Sequence, residues 1–144
     1  MIKRYEDKYK NDVLTLVDSF FEEQLKEYLE YINPGVLLES IEKCKLNAFV
    51  VVDDKDKAVG VLAGATVQTV LNNKKIYQEV IWYVDKDHRR EGVTLLKKVM
   101  KILKEDGYQT MVMMTMGNSR VEKIHQLYNI LGFKLFETQF IREL

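Results

Sequence analysis

The sequence predicts one α/β domain on a mixed sheet, antiparallel where strands follow one another directly and parallel where a helix intervenes. Three observations predict it. Apolar residues recur at helical spacing before position 46, β-branched runs separated by polar turns occupy positions 48–84, and helix and strand alternate afterwards. The predicted order over residues 1–144 is β-α-α-β-β-β-α-β-α-β, with no repeat, linker or low-complexity stretch to mark a boundary.

Ile2 to Tyr5 reads as a short first strand. Over positions 8 to 31 and on to Ile32, Val13, Leu14, Leu16, Val17, Phe20, Phe21, Leu25, Tyr28, Leu29 and Ile32 keep returning to one face, which predicts one long or broken helix. Asn33-Pro34-Gly35 interrupts it. Asn33 as N-cap with Pro34 in the first helical position starts a second helix that turns Val36, Leu37, Ile41 and Cys44 inward. Phe49 to Val52, the polar turn 53–57 and the extended run from Ala58 to Leu71 read as a hairpin, and Ile76 to Val84 adds a third strand after the turn at 72–75. Val93, Leu96, Val99, Met100 and Leu103 then define a helix over 92–106, with Gly107 at its C-terminal cap. Tyr108 to Met114 reads as a strand, Val121 to Leu131 as a helix closed by Gly132, and Phe133 to Ile141 as a final strand.

The chain has 144 residues, 47% apolar and 31% charged, which suits one core of ordinary size. Its 22 basic and 22 acidic residues cancel, so the whole molecule offers no general field for nucleic acid or an anionic membrane. The N-terminus turns charged at once, and the longest mostly apolar run, Ala58 to Val67, is interrupted by Gly60 and Gly64; neither a signal peptide nor a spanning helix is expected. A single cysteine excludes an internal disulfide framework and fits a cytoplasmic setting, and two histidines with one cysteine leave no metal cluster to expect.

Any phosphate site must therefore be local. The strand at 76–84 runs through Asp85 to His88 into Arg89-Arg90-Glu91-Gly92-Val93-Thr94, where the 92–106 helix opens. A helix start offers unpaired N–H groups and positive potential, and a glycine there lets phosphate approach the backbone. Between Lys86 and Lys104 seven basic side chains stand against two acidic ones. A solvated lysine face, with Lys97, Lys98, Lys101 and Lys104 simply facing water, is the competing reading.

Taken with Leu127-Tyr128 through Gly132-Phe133, the Arg89 to Thr94 run resembles the GNAT acyltransferase superfamily: arginine or glutamine, two residues, glycine, one residue, then glycine or alanine, followed later by a tyrosine and a glycine-phenylalanine pair. The element order extends the resemblance over nearly the whole chain. It departs from the pattern at Thr94, which stands in the glycine or alanine position, and at Gly117-Asn118, which lies about one helical turn further from Tyr128 than usual.

The resemblance implies a GNAT-like fold and transfer of an acetyl group from acetyl-CoA to a primary amine by direct attack in a ternary complex. The acceptor would be a small-molecule or peptide amine, and a homodimer is compatible with it. It implies that amides of Arg89, Arg90, Glu91, Gly92, Val93 and Thr94 take the pyrophosphate, that Trp82, Tyr83 and Val84 pair with the pantetheine arm, and that Asn118 contacts the cofactor. Tyr128 matches the tyrosine that donates to the coenzyme sulfur, and Glu79 lies where some members place a carboxylate base. A packing tyrosine and an outward-facing glutamate are the alternatives, since a one-residue slip reverses a strand's faces. His125, three positions before Tyr128, is a lesser candidate. Glutamates 22, 23, 27, 30, 39 and 42 beside Tyr28 and Tyr31 suit a cationic acceptor, or merely solubilise two helices. A GNAT-shaped module without catalysis is the second functional reading, motivated by Thr94 and by the displaced Gly117-Asn118.

Overall fold

Side chains that alternate between the two faces of three long strands give a sheet covered by helices on both sides. The computed structural model describes residues 1–28, 30–43, 46–68, 72–116 and 121–144. Strands β1 (Ile2–Arg4), β2 (Asn47–Val52), β3 (Ala58–Gln68), β4 (Lys75–Val84) and β5 (Thr110–Val112) lie in chain order. The first four pair antiparallel, and β5 runs parallel to β4. A parallel neighbour needs a crossover, which helix α3 (Glu91–Glu105) supplies. Helices α1 (Lys10–Phe20) and α2 (Pro34–Glu42) precede β2, and α4 (Val121–Ile130) follows β5. The mixed α/β sheet predicted from sequence is thus present.

Strand β2 shows how the faces divide. Ala48, Val50 and Val52 pack with Val13, Leu16, Val17 and Ile41, whereas Phe49 and Val51 pack on the other face with Leu95, Leu96, Val99 and Leu103. Truncating a fully buried leucine such as Leu96 to alanine would cost roughly 2–5 kcal/mol. Asn33 caps α2 by accepting the Gly35 N–H at 2.9 Å, with Pro34 in the first turn. Beyond Phe20, α1 widens into one turn of π-helix over Phe21–Leu25. That turn buries Phe20 and Phe21 together, their rings edge to face at 5.9 Å. The predicted long helix is therefore broken, as one of the two readings had it. Of the residues expected to turn inward on α2, Ile41 is buried but Val36 is 57% exposed, and Cys44, like Leu29 of the first helix, lies outside the described residues.

Two features of β4 position the site. Ile81 pairs with Ala63 and Glu79 with Gly64, so Val80 is an extra residue, a bulge that leaves it off the ladder. A Cβ at Gly64 would lie 2.5 Å from the Gln78 carbonyl oxygen and 2.6 Å from the Tyr77 ring, so only glycine fits opposite the bulge. On its other edge β4 pairs with β5 only over Ile76–Gln78, against Thr110–Val112. Beyond that point the two parallel chains part.

The final strand expected at 133–141 does not form. Phe133 is fixed, its N–H donating to the Tyr128 carbonyl at 2.9 Å, but residues 134–144 leave the sheet, with Leu135, Phe136 and Phe140 between 73% and 94% exposed. The physical reason lies in the pattern. Leu135-Phe136 and Phe140-Ile141 are adjacent apolar pairs that point to opposite faces of any strand, and the three-residue β5 offers a short edge to pair with.

Candidate active site

Where β4 and β5 part, two side chains converge on the backbone of one residue, Met114. Glu79 follows the last residue of β4 paired to β5, and its Oε2 accepts the Met114 N–H at 2.9 Å. From α4, the Tyr128 hydroxyl donates to the Met114 carbonyl, also at 2.9 Å. The Tyr128 ring stacks on Trp82 with centroids 6.2 Å apart and touches Phe133 at 5.4 Å. Glu79 shares the face of Tyr77 two residues earlier, and the bulge at Val80 brings Trp82 onto that same face. The carboxyl is only 5% exposed, and burial pushes it up to about 7, opposed in part by the Met114 N–H. Burial, and then the charge of Glu79, raise the Tyr128 hydroxyl well above the usual phenol value. A carboxyl that titrates near neutrality and a phenol that keeps its proton can receive and give protons respectively. His125 is exposed on α4 and does not join them.

The loop after β4 descends through a 3₁₀ turn, Lys86–His88, to the start of α3, where no side chain caps the helix. Arg89, Arg90 and Thr94 are exposed and Glu91 and Val93 half-buried. Gly92 is buried in the first turn, not in a solvent-facing loop. A Cβ there would lie 3.6 Å from Val84 and 3.7 Å from the Trp82 ring, ordinary contact distances, and its own N–H donates to the Arg89 carbonyl at 3.1 Å. The glycine thus packs α3 closely on β4 and has already spent one of the amides expected for phosphate. Trp82–Val84 pair with β3 on one edge and have no β5 partner on the other. Asn118 lies outside the described residues.

Two participants were not legible beforehand. Met114 takes part through its backbone, which no residue type signals. Glu23, read only as one of six wall glutamates, receives the Tyr83 hydroxyl at 2.7 Å and Arg89 Nη2 at 2.6 Å, while the guanidinium lies over the Tyr83 ring at 5.1 Å. Glu22, Glu39 and Glu42 are paired with Lys26, Lys43 and Lys10, which weakens the expected acidic wall. A cavity of about 170 Å³ lies away from the Met114 backbone, between α1 and the loops after β2 and β4, lined in part by Asp12, Asp53, Asp85 and His88. Among the described residues, no three His, Cys, Asp or Glu side chains are grouped to hold a metal, and no helix is long and apolar enough to cross a membrane.

The model of the Acetyltransferase (GNAT) family matches residues 11–133. No curated protein matches the sequence. Among solved structures, a tetramutant of the BH1408 protein from Bacillus halodurans superposes with a TM-score of 0.77 at 17% identity, covering 100% of this chain and 99% of that one. A ribosomal-protein-alanine N-acetyltransferase from Brucella melitensis biovar Abortus gives 0.75 at 16% identity, with 100% and 98% covered. An aminoglycoside acetyltransferase from an uncultured soil metagenomic sample gives 0.73 at 17%, with 100% and 97% covered. At these identities the likeness is one of fold.

Proposed function

Because the chain belongs to the GNAT acetyltransferase family, we propose that it acts as a single domain over residues 1–144 that moves an acetyl group from acetyl-CoA to a primary amine, by direct attack in a ternary complex. The observation that carries the reading is the convergence of Glu79 and Tyr128 on the Met114 backbone, where β4 and β5 part.

The acetyl donor is a substrate here, and the residues present fit it. The β4 edge at Trp82–Val84 is open to an extended arm, and the uncapped start of α3 with Arg89 and Arg90 beside it suits a pyrophosphate. Glu79, ionised above about pH 7, takes a proton from the amine directly or through water. The neutral nitrogen then attacks the thioester carbonyl carbon, an N–C bond forms and the C–S bond breaks; the departing thiolate takes a proton from Tyr128 or solvent, and the proton shed by the acylated nitrogen passes through water to replace it. For Tyr128 this means turning its O–H away from the Met114 carbonyl. The acceptor is an amine on a small molecule or a peptide; the aminoglycoside and ribosomal-protein acetyltransferases of the same fold span both kinds.

Thiol release from acetyl-CoA in the presence of a polyamine, an aminoglycoside and peptides with free N-termini or lysines tests the proposal. Turnover with at least one amine is expected, falling roughly 10²-fold or more in Glu79→Gln. A non-catalytic coenzyme-binding module is the second reading, favoured by the engaged Gly92 amide and the Glu23-bound Arg89. Saturable coenzyme binding without thiol release for any amine would establish it, and absence of both would defeat both readings.

A further inference from the structure

Arg89 is the first residue of the phosphate loop, and its guanidinium is already held by an anion of the chain itself. Glu23 sits on the π-helical turn Phe21–Leu25, which carries its carboxylate across to the loop. One oxygen takes Arg89 Nη2 at 2.6 Å and the other takes the Tyr83 hydroxyl at 2.7 Å. The pair is only partly screened, with side-chain exposures of 43% for Arg89 and 24% for Glu23. Burial pushes the Glu23 carboxyl up, but the Tyr83 hydroxyl and Arg89 outweigh it and hold the group below the ordinary carboxylate value. Glu23 is therefore ionised at neutral pH.

We propose that Glu23 is an internal competitor for the coenzyme pyrophosphate: carboxylate and phosphate contend for the same Arg89 guanidinium, so Glu23 sets coenzyme affinity and couples the phosphate loop to the first helix. The proposal rests on the acyltransferase reading. A pyrophosphate at the start of α3 carries more charge than one carboxylate and forms stronger charge-assisted bonds, so it draws Arg89 Nη2 away. Glu23 then keeps only the Tyr83 hydroxyl, and the ion pair lost with Arg89 offsets part of what the phosphate gains, an opposition felt as weaker coenzyme binding. Glu23 is thus a positioning residue that acts through Arg89. A plain structural brace would act with the opposite sign, since its removal would loosen the loop and weaken binding.

The test is calorimetric titration of coenzyme A into wild type, Glu23→Gln, Arg89→Gln and the double variant. Glu23→Gln should bind coenzyme A about three- to tenfold more tightly, the range expected for removing one partly exposed charge competitor. In the Arg89→Gln background the same change should alter affinity by less than about twofold, which a brace acting through packing would not reproduce. Should Glu23→Gln melt below the assay temperature, Glu23→Asp, which withdraws the carboxylate by one methylene, should shift affinity in the same direction. Weaker or unchanged binding by a folded Glu23→Gln protein, with wild type binding normally, would overturn the competitor and leave the acyltransferase reading standing. Absence of saturable binding by wild type at millimolar coenzyme A would overturn that reading, and this inference with it.

Discussion

Replacing Glu79 with glutamine separates what the buried carboxyl does for folding from what it does for chemistry. The folded protein holds this proton up to about pH 7, against 4.5 for an ordinary glutamate. Because the folded state binds the proton more tightly than the unfolded state, the contribution of Glu79 to stability is fully present below about 4.5 and is lost as pH rises to about 7. At about 1.4 kcal/mol per pH unit, the loss amounts to roughly 3 kcal/mol. Glutamine cannot ionise, and its amide leaves an N–H₂ in a site built around an acceptor, a constant penalty on the order of 1–3 kcal/mol. The informative quantity is therefore the change in the difference between the two proteins. Between pH 5 and pH 8, wild type should lose about 2.5 kcal/mol relative to Glu79→Gln by urea denaturation, a relative shift in melting temperature on the order of 10 °C. In the same pair, the acidic limb of kcat/KM near pH 7 should disappear together with most of the rate. A stability difference that does not move between pH 5 and pH 8 would refute the protonated buried carboxyl, and with it the argument for a base tuned to neutrality.

Gly92→Ala should be tolerated, since its methyl meets Val84 at 3.6 Å and Trp82 at 3.7 Å; melting should stay within about 2 °C of wild type. Gly92→Glu forces a longer, charged chain into that contact and beside the phosphate, so calorimetry should show coenzyme affinity reduced at least about tenfold, and the melting temperature should fall too. Gly64→Ala drives a methyl against the Gln78 carbonyl at 2.5 Å and should cost about 1–3 kcal/mol by urea denaturation; an undiminished midpoint would contradict the bulge at Val80. Asp56, at φ 58°, gathers Lys3, Lys8 and Tyr9, and these partners hold its carboxyl far below the usual 3.8. Asp56→Asn keeps a residue that accepts the left-handed backbone but removes the charge. It should melt lower than wild type at pH 7, with the gap starting to close as pH falls below about 3.8, where the unfolded wild-type chain takes up the proton that the folded protein still resists.

The fold was legible wherever one face of an element is apolar and the other is not. Val99 and Leu103 against Lys97, Lys98 and Lys101 mark α3 without ambiguity, and Asn33-Pro34 marks the start of α2 through the chemistry of the cap. The last strand failed for the opposite reason. Leu135-Phe136 and Phe140-Ile141 have β-type composition but no alternation, so composition predicted a strand that no single face could bury.

The site divides in the same way. Arg89 to Thr94 and Tyr128 stood out as candidates because they sit in a local run and at a fixed offset from Gly132-Phe133, and such spacing survives in one dimension. That Glu79 and Trp82 share a face was not visible, because it depends on the bulge at Val80, which Gly64 on the neighbouring strand accommodates where a Cβ would collide with Gln78 and Tyr77. A single extra residue brings Trp82 onto the Glu79 face, burial raises the proton affinity of Glu79, and the Met114 N–H that accompanies it comes from a chain that has just left the sheet. On the proposed reading, the feature that opens β4 to a substrate arm also brings the base to its edge: the early end of the β4–β5 pairing leaves Trp82–Val84 without a β5 partner and frees the Met114 N–H and carbonyl for Glu79 and Tyr128. On this reasoning the short β5 is a functional requirement. Extending its pairing past Gln78 would give the Met114 N–H a backbone partner, leave Glu79 buried without its donor, and close the edge that the acetyl donor needs.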